Sequence, residues 1–104
     1  MNLEKINALI QVLRSPMPEG FTWDHSSIGR LNNDGEIIRG CALPLGERCG
    51  ILKQCSSYQE WKSQLGLETD EINEFYSMPD ETNDRSPEDC AQILENIRDR
   101  KLKG

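Results

Sequence analysis

The sequence lacks a long apolar run, carries one histidine and few aromatics, and has no closely spaced pair of cysteines. Each shortage removes a class of protein. No apolar stretch approaches the roughly 20 residues that a membrane-spanning helix requires. Met1-Asn2-Leu3-Glu4-Lys5 places no basic region ahead of an apolar one, so a secretory leader is not expected. The expected setting is therefore the cytoplasm, where the four cysteines stay reduced. Cys41, Cys49, Cys55 and Cys90 are separated by seven, five and thirty-four residues, whereas a structural zinc site usually takes its thiolates from short knuckles. We read these cysteines as small apolar residues and name no metal ligand and no cofactor site.

Positive charge is also short. Lys and Arg total 12 against 18 Asp and Glu, for a net charge of −6. A nucleic-acid binder displaces counterions with a basic stripe, and this chain has none, so direct binding to nucleic acid or to an anionic membrane is not expected. The acids are unevenly placed. Glu68, Asp70, Glu71, Glu74, Asp80, Glu81, Asp84, Glu88 and Asp89 crowd one segment in which Arg85 is the sole base. The end of the chain, Arg98-Asp99-Arg100-Lys101-Leu102-Lys103, is net basic.

The 104 residues suit one domain with one core. Leu3, Ile6, Leu9, Ile10 and Leu13 recur at helical spacing, with Asn2 placed to cap the start and Pro16 to stop the helix soon after. Phe21 and Trp23, two apart, suit an extended segment with one buried face. From Ser27 to Arg39 the pattern predicts a hairpin, because Asp34-Gly35 supplies the positive φ that such turns need. Gly40 to Cys55 is apolar enough to be buried. It reads either as a helix from about Ala42, with Pro44 in its first turn and Gly46 and Gly50 weakening it, or as a buried loop.

Later boundaries carry clearer signals. Ser57-Tyr58-Gln59-Glu60 matches a capping box ahead of Tyr58, Trp61 and Leu65, and Gly66 is placed to end that helix in a left-handed cap. Thr69 is read as the cap of a short helix with Ile72, Phe75 and Tyr76 on its apolar face. Ser77 to Arg85 reads as a polar loop. Ser86-Pro87-Glu88-Asp89 then opens a final helix whose stripe is Cys90, Ile93, Leu94 and Ile97. The predicted class is α+β and mainly helical: four or more short helices packed with one small antiparallel β-hairpin.

Gly40-Cys41-Ala42-Leu43, Trp61, Leu65-Gly66-Leu67, Glu71, Phe75 and Ser86-Pro87-Glu88-Asp89-Cys90-Ala91 stand in an order that resembles a loose group of small bacterial and phage proteins. That group carries a Gly-Cys-Ala-Leu segment, a Leu-Gly-Leu junction and a Ser/Thr-Pro-Glu-Asp final helix. The likeness spans roughly Phe21 to Ile97 and departs at Pro44, where the group continues a helix of small residues. It implies a fold and a phage or bacterial setting, and it carries over no catalytic residue.

Motifs for chemistry are thin. Asp24, His25 and Cys41 hold the residue types of a thiol hydrolase without an elbow motif, and a lone histidine in a polar turn is ordinarily just solvated. Gly46-Glu47-Arg48-Cys49-Gly50 has two glycines but lacks the lysine of a phosphate loop. Asp80-Glu81-Thr82-Asn83-Asp84 offers oxygens, yet Arg85 stands where a calcium loop wants glycine. Asp70, Glu71, Glu88 and Asp89 suit helix starts, while Glu74, Asp80, Glu81 and Asp84 have no such reason. These four are the predicted partner-binding residues of a non-enzymatic acidic protein, a phage-encoded modulator or inhibitor of a host protein with a basic surface. The bland alternative is a solubilising face. The competing reading is a small thiol-dependent enzyme or redox protein using Cys41 or Cys49.

Overall fold

Asn2 begins the fold as its sequence position predicts. In a computed structural model of the chain, its side-chain oxygen accepts the Lys5 backbone N–H at 3.1 Å and starts helix α1, Leu3–Leu13. The structure describes residues 1–24, 29–54, 58–75 and 86–103, with Tyr58 described by its backbone alone. Ile6, Leu9, Ile10 and Leu13 are buried as the spacing requires, but Leu3 stays 39 % exposed. Leu3 falls on the flank of α1 that carries Asn7 and leads to Arg14 at the helix end, and both of these meet polar side chains of the last helix rather than the core.

The chain then forms strands β1, Thr22–Trp23, β2, Arg30–Leu31, and β3, Ile37–Gly40. The expected hairpin is corrected here. β2 and β3 do pair antiparallel, but β3 lies in the middle of a three-stranded mixed sheet, with β1 parallel on its other side. Asp24 N–H extends the β1–β3 pairing by donating to the Gly40 carbonyl at 3.0 Å. A parallel pair needs a crossover between its strands, and the β2 arm with its turn supplies it. The extended segment expected at Phe21 and Trp23 is β1, with Phe21 buried; its parallel pairing with β3 is what the local pattern did not show. Ser27 and Ile28 of the expected hairpin lie outside the described residues.

The turn itself follows the sequence. Gly35 N–H reaches the Asn32 carbonyl at 3.1 Å, and Gly35 takes φ +81°. The Asn32 side chain accepts the N–H groups of Asp34 and Glu36, both at 2.9 Å. Gly35 thus takes the left-handed position that follows a tight turn and returns the chain into β3.

Between Gly40 and Cys55 the structure resolves the open choice in favour of a helix. α2 runs Ala42–Arg48, and every residue from Ala42 to Gly46 is buried. Pro44 sits in the first turn, where its missing N–H costs nothing, and packs on Gly40. A Cβ at Gly40 would come within 2.4 Å of Pro44 Cβ.

α3, Tyr58–Leu65, buries Trp61 and Leu65. Ser57 of its expected capping box lies outside the described residues. Gly66 closes the helix at φ +67°, with its own N–H and that of Leu67 both returning to the Lys62 carbonyl. α4, Thr69–Phe75, buries Ile72 and Phe75; its first helical hydrogen bond goes to the Glu68 carbonyl, so the cap falls one residue before the expected Thr69. Tyr76 lies outside the described residues. α5, Pro87–Lys103, opens on reciprocal 3.1 Å hydrogen bonds between Ser86 and Asp89, each side chain accepting the other's backbone N–H.

α1 lies antiparallel along α5. Arg14, just past the end of α1, reaches Glu88 and Glu95, and Arg98 donates to Asn7 at 2.9 Å. The core joins Ile6, Leu9 and Leu13 of α1 with Leu43 and Leu45 of α2 and with Leu94 and Ile97 of α5. The class is α+β and mainly helical, with five described helices.

Gly66 generates a stability prediction. An added Cβ would lie 2.9 Å from Met1 Cα, and an L-residue at this φ costs about 1–2 kcal/mol before any clash. Gly66→Ala should lower stability by about 2 kcal/mol or more in urea unfolding. A variant within about 0.5 kcal/mol of the parent would mean that neither the left-handed cap nor the Met1 contact is needed.

Candidate functional site

α4 displays its acids beside the basic end of α5. Glu74, the one predicted partner-binding residue among those described, is exposed on the last turn of α4. Arg100 Nη2 donates to Glu74 Oε2 at 2.7 Å, and its Nη1 lies 3.5 Å from Oε1. Asp80, Glu81 and Asp84 lie outside the described residues.

Glu71, one turn earlier, is more enclosed. Its Oε1 accepts the Glu68 backbone N–H at 2.8 Å and Lys101 Nζ at 2.9 Å. Burial pushes its carboxyl up. The Glu68 amide, the bonded Lys101 ammonium and the charge of Arg100 outweigh burial and hold it below the ordinary carboxylate range. Glu68 and Asp70 are exposed beside it, and Glu68, Asp70, Glu71, Glu74 and Arg100 line one shallow hollow.

The other described acids of this segment have structural duties: Glu88 pairs with Arg14 at 3.1 Å, and Asp89 caps α5. Among the described residues, the acidic segment therefore does not present an unbroken negative face. Arg100 and Lys101 lie across it, and the pairing is invisible to a local reading because it links positions 26 and 30 residues apart. The only sequence signal for it was the net basic stretch at the end of α5.

The thiol alternatives are dispersed. Cys41 and Cys90 have no exposed surface, and the Cys90 thiol lies 3.8 Å from the Phe75 carbonyl. Cys49 is exposed at the C-terminal cap of α2. Partial burial pushes its thiol pKa up against the opposing charge of Arg48, and a helix C-terminus disfavours a thiolate further. Cys55 and His25 lie outside the described residues, and Asp24 of the Asp24-His25-Cys41 set faces Arg39 at 3.9 Å. Among the described residues no group of three or more His, Cys, Asp or Glu gathers to hold a metal ion.

The two-glycine stretch is likewise occupied by structure. Gly46 is inside α2 against Leu9 and Leu52, and Gly50 turns the chain out of the helix at φ +78°. Arg48 is spent on Glu36 and on the carbonyls of Ile37 and Glu19. Among the described residues no helix is long and apolar enough to cross a membrane. Comparison with protein-family models, curated proteins and solved structures gave no match.

Two measurements check this geometry. Because the Glu71 pKa is depressed on folding, its contribution is fully present above the ordinary carboxylate value of about 4.3 and fades as pH falls through the lower folded value. Glu71→Gln should therefore be less stable than the parent by roughly 0.5–1 kcal/mol at pH 7, with the gap closing below about pH 4. A gap that stayed constant down to pH 3 would contradict the assigned pairing.

Native alkylation with iodoacetamide at pH 7, mapped by mass spectrometry, should label Cys49 ahead of Cys41 and Cys90, yet more slowly than free cysteine. Labelling faster than free cysteine would reveal an activated thiolate at Cys49.

Proposed function

We propose that this chain is a non-enzymatic acidic binding protein that engages a basic surface of another protein through α4 and the segment after it. Its contact residues are Glu74, Asp80, Glu81 and Asp84. The observation that carries this reading is the shallow acidic hollow on α4, where Glu74 takes a guanidinium through both of its oxygens and Glu68 and Asp70 are exposed alongside. Carboxylates that accept an arginine in this forked manner suit arginine and lysine side chains offered by a partner. The buried thiols of Cys41 and Cys90 and the raised pKa of Cys49 give the thiol-enzyme alternative less support. The resemblance to small phage and bacterial proteins makes a phage-encoded modulator or inhibitor of a host protein the biological form of this proposal.

The test is capture of a partner by tagged protein from bacterial lysate, followed by titration of that purified partner at low and high salt. The parent should bind one stoichiometric protein, lose it at high salt and keep it after alkylation of its thiols. Reversing Glu74, Asp80, Glu81 and Asp84 together to Lys should weaken binding tenfold or more, with circular dichroism confirming that the fold is retained. Unchanged affinity in a folded variant would refute the assigned face. A partner lost on alkylation instead would point to the cysteines.

A further inference from the structure

No further inference is drawn: the strongest candidate, the exposed apolar side chains of Leu3 at the start of α1 and Leu102 near the end of α5, carries nothing because nothing in the structure shows what covers them.

Discussion

A stretch of backbone shut away from water has to satisfy its own hydrogen bonds. From Ala42 to Gly46 this chain has no exposed residue, and the helix is the local solution to that constraint. The rest of the fold is fitted around it. β3 delivers the chain into α2 through Gly40, whose missing side chain makes room for Pro44. Gly46 lets Leu9 of α1 and Leu52 approach the helix backbone closely. Arg48 then secures the exit by binding Glu36 and the carbonyls of Ile37 and Glu19, tying the end of the helix to the sheet and to the loop before it. α1 covers α2 and in turn packs along α5, so one short buried helix fixes where the two longest helices lie.

The charged contacts between α4 and α5 have a different standing. Exposed ion pairs contribute about 0–1 kcal/mol each, whereas burying a side chain such as Ile72 or Phe75 contributes about 1.5–3 kcal/mol. The apolar pair therefore docks α4, and the pairs Glu71–Lys101 and Glu74–Arg100 select the register in which it docks. They also spread the net charge of −6 less unevenly than the order of residues suggests, because the basic end of α5 lies against acids that precede it by 26 and 30 residues.

What was legible in the sequence is what is encoded locally. Asn2 and Gly66 each act within a few residues and do in the structure what their positions predict, and α5 starts at Pro87 as expected; the reciprocal Ser86–Asp89 bonds that close its start are equally local. The Asp34-Gly35 turn is of the same kind. The mixed sheet was not legible, because β1 and β2 have two residues each and a parallel pairing depends on where the chain returns. α2 was ambiguous for a related reason. Its residues Ala42 to Gly46 are all buried and apolar, so they show no 3.6-residue alternation to separate them from a buried loop. Of the candidate site, the identity of the acids could be read, but their pairing could not: Arg100 and Lys101 reach them only after two helices have packed.

That pairing changes what an acidic surface on α4 means for a partner. A free negative patch would attract any basic protein by long-range field alone, and such attraction raises encounter rates more than it selects. Here the carboxylates of Glu71 and Glu74 are already engaged at 2.9 and 2.7 Å, so a partner's cation gains at these positions only the difference between its own contact and the one it replaces. For a basic partner of the kind proposed, net affinity would then have to come from acids without such a contact and from shape. On the proposed reading, a basic helix end laid across an acidic helix would favour discrimination between basic partners over indiscriminate attraction: charge would set the approach, and the geometry of exchange would set the choice.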